Sequence, residues 1–280
     1  MDPATTSKRP GKKAYLLITL FAVLLTLFPF LFWYGTWFGR KLTDQEIGQL
    51  LADPSKPRKA QHALVQLGER MSRSDVGARQ FYPRVIEQTA SSNAELRQTA
   101  AWIMGQDRSY APFQEALRKL LLDSSPMVRR NAALSLSTFG DAAGRPELRA
   151  MLRSQTIASP AAGVVRYRLK TAEYVNPGTL VAHVGATEVR ASLPGEVVQM
   201  LKPEGAAVAS GDPLLEISAD KDHAWEALRA LLALGNQDDL EDVQRYARGV
   251  AGMPERVRQQ AVLTLHEIQG RVVAGNKQSP

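Results

Sequence analysis

Three hydropathy patterns follow one another along the chain. The first is an uninterrupted apolar run, Ala14–Phe38, without a charged residue. At about 1.5 Å per residue it reaches roughly 37 Å, so the spacing predicts a transmembrane helix over 14–38 that spans a hydrocarbon core of about 30 Å. Its far end is aromatic, with Trp33, Tyr34 and Trp37 followed by Arg40 and Lys41, as expected of residues at a bilayer–water interface. A cleaved signal peptide competes with this reading, but its apolar core is usually shorter and ends in small residues, whereas this run ends in TWFGRKL.

The second pattern has helical periodicity and predicts an α-solenoid over 43–154 and 221–272. Four segments pair an apolar helix with a turn and an alanine-rich second helix: LLADPSKPRKAQHALVQLGE, VIEQTASSNAELRQTAAWIMGQ, LLLDSSPMVRRNAALSLSTFGD and ARGVAGMPERVRQQAVLTLHEI. In the third, Val128, Ala132 and Leu136 recur at i, i+4, i+8 with Arg129 and Arg130 beside the stripe. Gly68, Gly105 and Gly140 fall where each second helix ends, and a left-handed C-terminal position is expected at all three. The next match, Gly235-Asn236, lies far beyond the repeat period, with roughly 60 residues inserted. Pro146–Arg153 reads as the first helix of the interrupted unit and His223–Leu234 as its second.

The third pattern fills that gap. Over 156–219 valine, proline and glycine replace leucine-rich periodicity, which predicts short strands and turns. The insertion also repeats itself: Gly163 falls on Gly195, Val165 on Val197, Lys170 on Lys202 and, after one added residue, Gly178 on Gly211. Two such halves can close a flattened barrel in which each completes the other's sheet. The fold class expected is therefore α plus β in several domains: one transmembrane helix, a discontinuous solenoid and a small inserted all-β domain. A basic tail over 1–13 and a flexible tail over 273–280 flank them.

Charge adds sidedness. Of the formal net charge of +7, Lys8, Arg9, Lys12 and Lys13 against Asp2 supply +3 ahead of the apolar run. The positive-inside bias then places the N-terminus in the cytoplasm and the body in the periplasm, as a single-pass protein of a bacterial inner membrane. The remainder is spread thinly, which speaks against a nucleic-acid partner. With no cysteine, disulfides, thiolate metal sites and cysteine nucleophiles are excluded.

The stretch Leu121–Asp141 carries the signature L-x-D-x-x-x-x-V-R-x-x-A-A followed by Gly-Asp, and in this the solenoid resembles HEAT repeats of the phycobilisome-lyase-like kind. The inserted halves, above all Pro194-Gly195-Glu196-Val197-Val198 and Gly211-Asp212-Pro213-Leu214-Leu215, resemble the biotinyl/lipoyl domain, the barrel-sandwich hybrid that periplasmic adaptor (membrane fusion) proteins share. That resemblance implies a modified lysine at the hairpin joining the halves in carriers. Here the joint reads His183-Val184-Gly185-Ala186-Thr187-Glu188, so the tip Gly185-Ala186 offers no amine for biotin or lipoate. It also leaves no room for the long helical hairpin of adaptors.

Candidate chemistry is sparse. The histidines His62, His183, His223 and His266 share no metal-ligand spacing, and no phosphate loop, Rossmann fingerprint or nucleophile elbow occurs. The acidic run Asp238, Asp239, Glu241 and Asp242 suits the start of a helix. Arg97, Arg129, Arg130 and Arg258 mark a candidate ridge for partner binding, against a solvated face of cross-repeat ion pairs. No catalytic residue, cofactor, metal or small-molecule substrate is expected. The function expected is a non-catalytic, membrane-anchored scaffold organising partners of an integral membrane complex such as a transporter, secretion or respiratory assembly. The alternatives are an adaptor subunit of an efflux or secretion system, and a biotin/lipoyl carrier.

Overall fold

The computed structural model describes residues 12–33, 40–53 and 55–276. The chain divides into two compact units, 1–46 and 47–280. In the first, helix α1 (Lys12–Trp33) contains Pro29, and its described side chains are exposed. The transmembrane anchor expected over 14–38 is overturned: among the described residues no helix is long and apolar enough to cross a membrane. Helix α1 opens on Lys12 and Lys13, and its described apolar side chains run from Tyr15 to Leu31. The inner-membrane location, with its cytoplasmic N-terminus and periplasmic body, rested on that anchor and falls with it. Of the residues assigned to the bilayer interface, Trp33 ends α1, while Tyr34 and Trp37 lie outside the described residues. Arg40 and Lys41 are exposed, and Arg40 pairs with Glu46.

The second unit is mostly a helical repeat with a sheet region. Five helix pairs follow one another among the described residues: α2 (Asp44–Ala52) with α3 (Pro57–Ser72), α4 (Tyr82–Glu87) with α5 (Ala94–Met104), α6 (Ala111–Leu120) with α7 (Pro126–Thr138), α8 (Arg145–Ala150) with α9 (Lys221–Leu234), and α10 (Leu240–Ala247) with α11 (Glu255–Asn276). The second helices α3, α5, α7, α9 and α11 stack in that order. Their inward faces are built of alanine and leucine, such as Ala63, Ala100, Ala132, Ala227 and Ala261, all fully buried. Small side chains let the helix axes approach, and leucines fill the space between them.

The turns repeat as faithfully as the helices. Ahead of each first helix, Asp75, Asp107, Asp141 and Asn236 accept the backbone N–H two residues on, at 2.9 Å in every case. Inside the pairs, Asp53, Asn93, Asp123 and Asp220 do the same at 2.8–3.1 Å. Asp220 is thus the turn residue of the interrupted unit, and the insertion sits between α8 and that residue. The glycines differ from expectation. Gly140 is left-handed at φ +71°, but Gly105 is right-handed at φ −69° and Gly68 lies within α3. A Cβ on Gly68 would lie 2.7 Å from Ile103 Cγ2, so close helix packing requires this glycine. Of the flexible tail expected over 273–280, residues 273–276 belong to α11, and 277–280 lie outside the described residues. The Arg271 guanidinium holds that last stretch by donating to the Leu232 carbonyl at 2.8 Å and to Gly235 at 3.0 Å.

Eight strands fill the interval between α8 and α9: β1 (Gln155–Ala158), β2 (Gly163–Tyr167), β3 (Tyr174–Val175), β4 (Leu180–Val184), β5 (Thr187–Arg190), β6 (Gly195–Met200), β7 (Ala207–Val208) and β8 (Pro213–Ile217). They form two four-stranded sheets of order β1-β8-β6-β3 and β5-β4-β2-β7. The orders map onto each other when β2 is laid on β6, β4 on β8 and β3 on β7. Each half lends its two-residue strand to the other's sheet, because β3 pairs with β6 and β7 with β2. Val165, Val184, Val197, Leu214 and Ile217 form the centre of the core between the sheets.

Candidate interaction site at the junction of the repeat and the sheet domain

The inserted domain is not hung on a loose stalk. Its first and last strands pair with each other, Gln155 opposite Ile217, so the chain leaves and re-enters the repeat as a two-stranded ladder. Met127 of α7 packs against the sheet-domain core. The Tyr174 hydroxyl of β3 donates to the Asp220 carboxylate at 2.7 Å.

Behind that contact lies a buried polar cluster. Arg130, on α7, is 1% exposed, and its Nη1 donates to His223 Nδ1 at 2.9 Å. This contact requires His223 Nδ1 to be unprotonated, which leaves the neutral ring's proton on Nε2. Glu147 of α8 lies 3.9 Å from Arg130 Nε, a nitrogen that is buried without a hydrogen-bond partner. Burial and then the Arg130 charge hold His223 below its ordinary pKa. Burial alone would raise the Asp220 carboxyl, but the His223 backbone N–H and the Tyr174 hydroxyl outweigh it, and its pKa is lowered. Burial and the bond to Asp220 push the Tyr174 phenol up. The cluster joins three helical segments and one strand through ionisable groups, and its geometry orients the sheet domain.

The candidate ridge residues have separate fates. Arg97 makes a bidentate pair with Asp123 of the next unit, at 2.7 and 2.8 Å, and its Nη1 donates to the Ser91 carbonyl at 2.8 Å. Arg129 repeats that backbone contact on Asp123 at 2.8 Å and reaches Glu147 at 3.3 Å. Arg130 is interior, and Arg258 pairs at the surface with Glu255 at 2.5 Å. Arg97, Arg129 and Arg130 therefore lie along one line of inter-unit contacts, while Arg258 stands apart on α11. The hairpin tip Gly185-Ala186 is exposed in the turn between Val184 and Thr187, with Gly185 at φ +58°.

The acidic run does more than start a helix. Asp239, fully buried, pairs with Arg145 at 3.0 Å, and Asp242 pairs with Arg153 at 2.7 Å. Periodicity set Arg145, Arg149 and Arg153 on one face of the segment before the insertion, but nothing local said that their partners lie about 90 residues on. The signal available was matched charge spacing on the two sides of the insertion. A groove of about 700 Å³ between the first two helix pairs is lined by Leu51, Asp53, Pro57, Gln88, Ser91 and Leu96. Among the described residues no group of three or more His, Asp or Glu could hold a metal ion.

The family model described as HEAT repeats matches residues 82–164, from the start of α4 into β2. No curated protein matches the chain. Two crystal structures of engineered proteins, each 15% identical, align over 81% and 79% of this chain and over 79% and 46% of theirs, with TM-scores of 0.43 and 0.42. A single-chain, multi-domain long-chain acyl-CoA carboxylase, 22% identical, aligns over 42% of this chain and 10% of its own, with a TM-score of 0.23. The family match and the succession of helix pairs make the helical part of this chain a HEAT-like repeat.

Proposed function

We propose that the chain is a non-catalytic scaffold that binds partner proteins through two recognition modules, a HEAT-like solenoid and an inserted sheet domain of the barrel-sandwich kind. The observation that carries this reading is the way the sheet domain is mounted. A carrier domain delivers a tethered group and needs both an amine at its hairpin tip and freedom to swing. Here the tip is Gly185-Ala186, and the domain is held to the repeat by Met127, the β1–β8 ladder and the Tyr174–Asp220 bond. Rigid mounting of two modules suits simultaneous presentation of two surfaces, and helical repeats offer extended faces built from many small contacts. The two-residue turn at the tip also argues against an efflux or secretion adaptor, which needs a long reach at that point.

Affinity purification of the full-length chain, with bound proteins and intact mass both read by mass spectrometry, tests the reading. A partner at stoichiometric yield and an unmodified chain mass are expected. A monomer without any co-purifying protein, or a chain carrying biotin or lipoate, overturns it.

A further inference from the structure

The solenoid repeats one contact between neighbouring units, and the first junction lacks it. Laying the buried stripe Leu96, Ala100, Ala101 and Met104 of α5 on Val128, Ala132, Ala133 and Leu136 of α7 puts Arg97 on Arg129. Each guanidinium donates at 2.8 Å to the carbonyl six residues back, Ser91 for Arg97 and Asp123 for Arg129. Each also reaches a carboxylate of the following unit, Asp123 and Glu147 respectively. Laying Ala60, Ala63, Leu64 and Leu67 of α3 on Leu96, Thr99, Ala100 and Ile103 puts Gln61 at the same place. Gln61 is shorter than arginine and donates to the Thr99 hydroxyl at 3.5 Å. The residue that falls on Asp123 in the second unit is Ser91. Both charged members of the contact are therefore replaced by neutral ones at the first junction.

The groove of about 700 Å³ lies where the contact is missing. It separates the turn holding Asp53 from the turn holding Ser91 and Asn93, the interval that the Arg97–Asp123 pair crosses one unit later. Leu51, Ala60 and Leu96 supply its apolar part. Its charged lining residues are Asp53 of the first unit and Glu87 of the second, against Arg84. Asp53 pairs with Lys56 and Glu87 with Arg84, each at 2.7 Å between neighbours three residues apart. Local pairs that water reaches are weak, so an incoming cation can share or displace them.

An arginine side chain supplies what the junction lacks. Its methylenes suit the apolar part, and its planar fork can bridge two carboxylates. A groove of this volume also admits residues on either side of that arginine. We infer that the groove between the first two units binds an arginine-bearing segment of a partner protein, with the guanidinium entering between Asp53 and Glu87. The inference rests on the scaffold reading and names the chemistry of one of its partners. Lysine fits less well, because a compact ammonium lacks the fork that spans two acceptors.

The experiment is fluorescence anisotropy on the full-length chain with a labelled, end-capped peptide carrying one arginine among alanines and leucines. Peptides with citrulline or lysine in its place serve as comparisons, since citrulline keeps the shape and loses the charge. The arginine peptide is expected to bind about tenfold or more tightly than the citrulline peptide, to exceed the lysine peptide, and to lose about tenfold in Asp53→Asn/Glu87→Gln. Gln61→Arg/Ser91→Asp builds the missing contact into the chain and should close the groove to the peptide. Circular dichroism shows that both variants fold. Absence of binding, equal affinity for the citrulline peptide, tighter binding of the lysine peptide, or unchanged affinity in either variant overturns the inference. The two readings also separate. If no partner co-purifies while the peptide binds in an arginine-dependent way that both variants weaken, the scaffold reading fails and the groove stands. If a partner co-purifies and neither it nor the peptide responds to the variants, the groove fails and the scaffold stands.

Discussion

Ala172 and Gly205 occupy the same left-handed backbone position in the two halves of the sheet domain, at φ +68° and +77°. Their amides close matching hydrogen bonds, Ala172 to the Val197 carbonyl at 2.8 Å and Gly205 to the Val165 carbonyl at 2.9 Å. A left-handed residue with a Cβ is strained by about 1–2 kcal/mol, a cost glycine avoids. Ala172→Gly therefore relieves strain while adding freedom to the unfolded chain, and a net stabilisation of about 0.5–1 kcal/mol is expected. Gly205→Ala should shift stability the other way by about 1 kcal/mol, since the new Cβ meets nothing within 4 Å and strain is the main effect. Urea denaturation followed by circular dichroism reads both, and shifts of equal sign would show that the two turns are not equivalent.

The inter-unit arginines should matter for stability in proportion to their burial. Arg97 and Asp123 are 14% and 8% exposed as side chains, and Asp123 keeps its lowered pKa chiefly through the Arg97 hydrogen bond. Arg97→Ala strands that carboxylate, and a loss of about 2–3 kcal/mol is expected. Arg258→Ala removes an exposed pair on one helix and should leave the denaturation midpoint where it is. Equal effects would mean that the line from Arg97 to Glu147 does not hold the units together.

Much of this architecture was legible because it is periodic. The insertion announced itself as a break in the repeat, and its two halves as a repeat of their own. What was hidden is what depends on distant chain. Arg130 sits beside an apolar stripe and reads as a surface residue, yet it is buried because α8 and α9 pack against α7. Gly68 reads as a helix end, and only the neighbouring α5 shows why it is glycine. That difference is testable. A terminal left-handed glycine with open space around it and a packed helical one both resist alanine, but only the second does so while helix propensity favours the change by about 1 kcal/mol. With a Cβ 2.7 Å from Ile103, Gly68→Ala should cost about 1–2 kcal/mol in the full chain. The paired change Gly68→Ala/Ile103→Ala, which makes room, should recover part of the overpacking loss relative to Ile103→Ala alone.

His223 should give stability a pH dependence in a window of its own. Its folded-state pKa is depressed, by burial first and by Arg130 second. The unfolded chain therefore takes up a proton at higher pH than the folded one, and stability falls as pH drops below the unfolded value of about 6.5 towards the folded value. The lowered carboxylates Asp123, Asp141 and Asp220 act in the same direction, but only below about pH 4. His223→Gln, whose amide oxygen can still accept from Arg130, should flatten the melting temperature between pH 7.5 and 5.5 and leave the acid limb intact. A slope unchanged in the variant would remove His223 as its source.

The pairs that span the insertion set the last expectation. Arg145 and Arg153 precede the sheet domain and Asp239 and Asp242 follow it, so each bond closes the repeat across the inserted domain. Asp239 is fully buried, accepts the Asn236 N–H at 2.8 Å and lies 3.0 Å from Arg145 Nε and 3.7 Å from Arg149 Nε. Asp239→Ala leaves two guanidinium groups without their shared carboxylate and an amide without its acceptor, and a loss of about 3–4 kcal/mol is expected. Asp238, whose side chain is 69% exposed, contacts the same arginine at 3.4 Å, yet Asp238→Ala should cost under about 0.5 kcal/mol because water replaces it. Limited proteolysis supplies the second readout: cleavage at the borders of 155–219 should quicken in Asp239→Ala and not in Asp238→Ala. Equal losses in the two variants would mean that burial does not decide which acid closes the repeat.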